Sequence, residues 1–238
     1  MPEIPQNEPR TAVPECELST TPLLLQNIDT DNQDRIKLIL DEFIKGFRFV
    51  KEYSDSVTFF GSARTKAGDP NYESARSLAN RIVKECNYSI VTGGGPGIME
   101  AANRGACEAD GNSLGLTIRL PKEQTTNAYV RKSVDFHYFF TRKVLLAFSA
   151  EAYIFFPGGF GTMDELFEIL TLIQTNKVKR VPIILVDHGY WQAFDSYIKE
   201  HLLSIETISQ KDVELYTITN DEDEIITIIN NASKTNIT

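Results

Sequence analysis

The sequence is poor in the residues that build metal and disulfide sites. It has three cysteines (Cys16, Cys86 and Cys107), an odd number with no CxxC pair, which reads as a reduced intracellular chain. Its three histidines (His137, His188 and His201) lack ligand spacing and no HExxH occurs, so no metal site is expected. Positive charge is also scarce. A general nucleic-acid binder needs a basic surface to displace counterions, so a formal net charge of −9 and a pI near 4.9 argue against a long polyanionic partner while leaving room for a small anion in a local pocket. Long apolar runs are missing as well. The most apolar stretch, 144–156, is too short to span a bilayer and contains Glu151, and the N-terminus has no basic-then-apolar signal pattern. No membrane association is expected, and the cytoplasm is the expected compartment.

What remains is an ordinary globular composition, 42% hydrophobic and 24% charged over 238 residues, enough for one well-buried domain. Residues 1–28 hold five prolines and show no periodicity, so they read as a disordered or loosely attached arm. The domain is expected over 29–232, with a short tail at 233–238. A first helix is expected over 31–53, with Ile36, Leu40, Phe43, Ile44 and Phe47 on one face. Short apolar runs follow at 57–60, 89–92, 114–118, 152–156, 181–186 and 214–219. Between them lie segments of helical spacing, including 72–86, 97–110 and 135–150. Continuous apolar strands alternating with helices predict an α/β fold: a Rossmann-like, doubly wound parallel sheet with helices on both faces, in a single domain.

Ligands of such sheets sit beyond the carboxyl ends of the strands. Three strand ends there are unusual: Gly61-Ser62-Ala63-Arg64, Gly93-Gly94-Gly95-Pro96-Gly97 and Pro157-Gly158-Gly159-Phe160-Gly161-Thr162. Glycine lets backbone approach a ligand closely, and a helix N-terminus offers free N–H groups to an anion. Ser62, Gly94 and Gly95, with the second loop, are therefore candidates for holding a phosphate and a sugar. The plain alternative is that the glycines only make tight turns. Neither loop is a dinucleotide fingerprint, because Glu100 stands where its third glycine belongs, and no P-loop is present. A single phosphate suits the pattern better than a pyrophosphate, which disfavours an NAD(P)-dependent oxidoreductase.

Two charged positions could do chemistry. Arg142 and Lys143 interrupt an apolar helix, as its solvent stripe or as an anion clamp. Glu165 is expected in the first turn of a helix starting near Thr162. There Thr162-x-x-Glu165 has the form of a capping box, the structural alternative to a catalytic carboxylate.

The segments GGGPGIMEAANRGA (93–106), TRK (141–143) and PGGFGTMDE (157–165) resemble the motifs of the Lonely Guy family. Its members are cytokinin riboside 5′-monophosphate phosphoribohydrolases, long described as possible lysine decarboxylases. Glu100, the helix ahead of the motifs and the acidic tail resemble the longer bacterial-type branch. The resemblance implies Arg142 and Glu165 as the catalytic pair. It places Lys143, Gly159, Phe160, Gly161, Thr162 and Thr171 at nucleotide-contacting positions, with Gln124 or its neighbour Glu123 at a further one. It also implies hydrolysis of a nucleoside 5′-monophosphate to a free purine, adenine or an N6-substituted adenine, and ribose 5-phosphate. No metal or organic cofactor is implied, and the assembly expected is a homodimer with a contact face around 139–148. A non-catalytic nucleotide-sensing module is the alternative from another class.

Overall fold

A computed structural model describes residues 30–118 and 126–235. The chain forms two compact units, Met1–Leu38 and Ile39–Thr238. The first is described from Thr30, where helix α1 (Thr30–Glu52) begins, and it holds an exposed Lys37–Asp34 ion pair. The expected arm at 1–28 lies outside the described residues.

The second unit is built on strands β1 (Ser56–Phe60), β2 (Ser89–Thr92), β3 (Ser113–Ile118), β4 (Lys132–Phe136), β5 (Ala152–Phe155), β6 (Ile183–Leu185) and β7 (Tyr216–Ile218). Their order is β4-β3-β2-β1-β5-β6-β7, and every pairing is parallel. The chain starts at the centre, works out to β4, then returns to the other side of β1. Strand order therefore reverses between β1 and β5, and the carboxyl ends of these two strands mark the place where ligands of such sheets bind.

Helices cover both faces. Strand side chains alternate between two cores, as the period of two requires. Val57, Phe59, Ile90, Ile154 and Ile184 meet α2 (Pro70–Arg81), α3 (Ile98–Glu108) and α7 (Glu222–Thr235). Phe60, Val91, Tyr153, Phe155 and Leu185 face α1, α4 (Phe139–Ala147), α5 (Phe160–Gln174) and α6 (His188–Tyr197). This is the doubly wound architecture expected. Helix α2 begins with Asp69 capping Asn71 N–H and Pro70 in the first turn, where a missing N–H does no harm. A π-helical turn, Ile82–Cys86, follows it and ends at Asn87, which adopts φ 58°.

Three expectations need correction. Strand β4, Lys-Ser-Val-Asp-Phe, carries no apolar run and so gives no strand signal in the sequence. It is an edge strand paired only with β3, so Phe136 alone needs full burial while Lys132, Ser133 and Asp135 stay exposed. The helix expected from 135 consequently begins at Phe139. The apolar face expected of α1 is also not its buried one: Leu40, Ile44 and Phe47 are exposed, while Glu42 and Gly46 are buried.

Candidate functional site

The three loops singled out above follow β1, β2 and β5 at their carboxyl ends, and they are tied to one another. Ser62 N–H donates to Pro157 O (2.9 Å), and Ser62 O accepts from Ile98 N–H (3.0 Å) at the start of α3. Gly97 takes φ +73°, and a Cβ there would lie 2.2 Å from Ser62 O, so only glycine permits this approach. The Ser62 hydroxyl accepts from Arg64 N–H within its own turn.

The first glycine loop rests on a buried polar chain. Thr92 Oγ1 accepts from Gly94 N–H (2.9 Å) and donates to Asn103 Oδ1 (2.6 Å). Asn127 Nδ2 donates to that same Oδ1 and to Gly95 O, both at 2.9 Å, while Asn127 N–H donates to Gly94 O. The Asn103 amide nitrogen finishes the set on Ser113 Oγ and Leu114 O. Every polar atom of this fully buried side chain is satisfied, which fixes the loop's shape. Glu100 fits without crowding the sheet, because it turns to α2 and accepts from Tyr72 Oη (2.9 Å).

The second glycine loop opens α5. Its N-cap is Gly159 and no side chain caps it, so the amides of Phe160, Gly161 and Thr162 have neither intrahelical partners nor a side-chain cap. Cβ atoms on Gly159 or Gly161 would meet nothing within 4 Å, and Phe160 is 97% exposed. The capping box weighed as the structural alternative for Glu165 does not form. The helix starts at Phe160, two residues before Thr162, which carries Glu165 into the second turn and out of reach of the cap.

Glu165 points instead into a charged cluster. Its Oε2 is buried, accepts no hydrogen bond, and lies 3.9 Å from Lys143 Nζ. Burial pushes the Glu165 carboxyl up to about 7, against the pull of Lys143; Glu168 adds to the rise and Arg142 opposes it. Lys143 Nζ also holds Asp164 Oδ2 at 2.6 Å and Glu168 Oε2 at 3.0 Å. Burial works against the lysine charge, but these carboxylates outweigh it and hold its pKa above the ordinary value.

Arg142 is no solvent stripe. Its guanidinium is largely buried and lies over Gly93, where an added Cβ would sit 2.3 Å from Nη2, and its Nε donates to Leu116 O (2.8 Å). Burial lowers its pKa while the charge of Glu165 opposes that. Thus α4, α5 and the first glycine loop bring Arg142, Lys143, Glu165 and Gly93 to one end of the sheet.

Thr171 is not beside them. It is exposed, donates to Phe167 O, and stands about 9 Å along the helix and about 240° around it from Glu165. Gln124 lies outside the described residues. Among the described residues no group of three or more His, Cys, Asp or Glu side chains is arranged to hold a metal, and no helix is long and apolar enough to cross a membrane. Sequence reasoning missed Glu168, Thr92, Asn103 and Asn127. The signal for Asn103 was there: a lone amide on the alanine-rich buried face of α3.

A parallel sheet with an order reversal and helices on both faces defines a Rossmann-like protein. Residues 99–229, over half the chain, match the family model described as possible lysine decarboxylase, and the chain belongs to that family. Cytokinin riboside 5′-monophosphate phosphoribohydrolase LOG7 of Arabidopsis thaliana is 32% identical over 146 residues, 59% of this chain and 64% of that protein, a little under two thirds of its length. The enzyme of that name from Rhodococcoides fascians is 27% identical over 149 residues, 60% of this chain and 74% of the other. The molybdenum cofactor carrier protein of Chlamydomonas reinhardtii shares the fold, with a TM-score of 0.53 at 20% identity over 75% of this chain and 97% of that one.

Proposed function

We propose that this protein hydrolyses the N-glycosidic bond of a nucleoside 5′-monophosphate, releasing a free purine (adenine or an N6-substituted adenine) and ribose 5-phosphate. The observation that carries this reading is the buried, hydrogen-bond-free Glu165 Oε2, in a cluster with Lys143 and within electrostatic reach of Arg142. The names of the relatives support the same chemistry.

In this reading the phosphate docks on the free amides of Phe160, Gly161 and Thr162, with Gly94, Gly95 and the Ser62 turn forming the facing wall. The bond from C1′ to the base nitrogen breaks and its electron pair leaves with the purine, which takes up a proton. Water adds to C1′ and releases a proton. The ribose passes through an oxocarbenium-like state, and ionised Glu165 stabilises that cation or directs the water. Arg142 orients the nucleotide and eases departure of the base. The step is redox-neutral and consumes only water, so it calls for no organic cofactor.

A homodimer is part of the proposal. Phe139 and Phe140 of α4, Phe148 just past its end and Phe47 of α1 are exposed, and the Phe47 and Phe148 rings, 6.4 Å apart, form an apolar pair suited to a second copy. Cytoplasmic residence fits the free thiols of Cys86 and Cys107.

The test compares AMP with adenosine in a base-release assay. AMP should yield free adenine and ribose 5-phosphate, with adenosine turned over at least about a hundredfold less efficiently, the scale of a lost anion site. Equal turnover of both would refute the phosphate site. Binding of AMP without cleavage would point to a sensing module instead.

A further inference from the structure

Helix α1 carries a buried acid that the proposed chemistry does not use. Glu42 is 6% exposed, and its carboxylate lies at the start of α4. It accepts from His137 N–H (2.5 Å), from Tyr138 N–H (3.4 Å) and from the Thr141 hydroxyl (2.5 Å). Backbone donors at a helix start have no intrahelical partner, and the positive end of the helix favours an anion. Helix α4 has no side-chain cap of its own at Tyr138. Glu42 therefore acts as its cap, supplied from another helix.

A second contact fixes the same pair of helices. At Gly46, one turn beyond Glu42, a Cβ would lie 2.7 Å from Leu145 Cγ and 3.1 Å from Phe136 Cζ. Glu42 and Gly46 share one face of α1, and Thr141 and Leu145 share one face of α4, each pair being four residues apart. Both the depth and the rotation of α4 are thereby set. The residues after Thr141 are Arg142 and Lys143.

We infer that Glu42 is a positioning residue: by capping α4 from α1 it holds Arg142 over Gly93 and Lys143 among its carboxylates. Its kinetic consequences rest on the hydrolase reading above, whereas its effect on α4 does not. Helix α1 precedes residues 99–229, so the support comes from outside the segment matched to the family.

Glu42→Gln keeps the size but turns one acceptor into a donor facing N–H and O–H groups. Its kcat for AMP should fall about tenfold with KM within about twofold, between the effect of a lost cap and that of a misplaced catalytic group. Amide hydrogen exchange across 137–142 should quicken in the folded protein. Thr141→Val removes one of the three contacts and disturbs folding less; it should lower kcat about threefold, a smaller step of the same kind. A lower melting temperature with unchanged kcat per folded molecule in both variants would reduce Glu42 to a purely structural role and overturn the inference. So would exchange across 137–142 in Glu42→Gln as slow as in wild type, whatever the activity. Absence of turnover of both AMP and N6-substituted AMP in the wild-type protein would defeat the hydrolase reading instead, and the exchange measurement would still decide Glu42.

Discussion

Replacing Glu165 by Gln separates a desolvated functional carboxylate from a residue that merely completes a helix. The carboxyl is raised from an ordinary 4.5 to about 7, first by burial. At about 1.4 kcal/mol per pH unit this corresponds to about 3 kcal/mol of resistance to ionising in the folded state. The sign follows from the raised value: the stability tied to the protonated form is fully present below pH 4.5. It is lost as pH rises through about 7, and is constant above. Gln cannot ionise, so the stability of Glu165→Gln relative to wild type should climb by about 3 kcal/mol between pH 4.5 and pH 8, most of it retained because the side chain is only 16% exposed. Urea denaturation at several pH values measures this directly. A difference between the two proteins that stays flat across that range would refute the burial argument. The same variant should lose turnover of AMP by about a hundredfold, the scale of a missing electrostatic stabiliser or general base. In wild type, kcat/KM should rise with pH through an inflection near 7, because the ionised form is the working one. Near-wild-type turnover in Glu165→Gln would reject Glu165 as the catalytic carboxylate.

Gly93→Ala places a methyl 2.3 Å from Arg142 Nη2 and 2.9 Å from Met99 Sδ, so the guanidinium must move. Its kcat/KM for AMP should drop at least about tenfold while unfolding free energy changes by only about 1 kcal/mol, which kinetics and urea titration would read separately. For assembly, sedimentation at micromolar concentration should give a dimer. Phe148→Glu should give a folded monomer, since it puts a charge in the exposed aromatic surface.

Much of the architecture could be read from residues in order. Strands β1, β2, β3, β5 and β6 announce themselves because central parallel strands are buried on both faces and must be apolar throughout, and the edge strand β7 still carries a short apolar run around Tyr216 and Ile218. Strand β4 does not, since an edge strand with one covered face can be built from Lys-Ser-Val-Asp-Phe. The glycine loops, Arg142 and Glu165 were visible as departures from local pattern. The true start of α5 was not: Thr162-x-x-Glu165 looks like a cap, and only the backbone turn at Gly159 shows that the helix has already begun. Periodicity likewise gave α1 the wrong buried face, because its inward side holds Glu42 and Gly46. Those residues make sense only against α4, which lies nearly a hundred residues later in the chain.

The Thr92–Asn103–Asn127 chain is made entirely of the protein's own groups, and this bears on the thermodynamics of association. Fixing one backbone residue costs about 1–2 kcal/mol of conformational entropy, and in the Gly93–Gly97 segment that ordering already belongs to folding. The nucleotide proposed as substrate would meet a wall there that need not freeze. The interaction can be mainly enthalpic, and affinity depends on the contacts made instead of being spent on shaping the receptor.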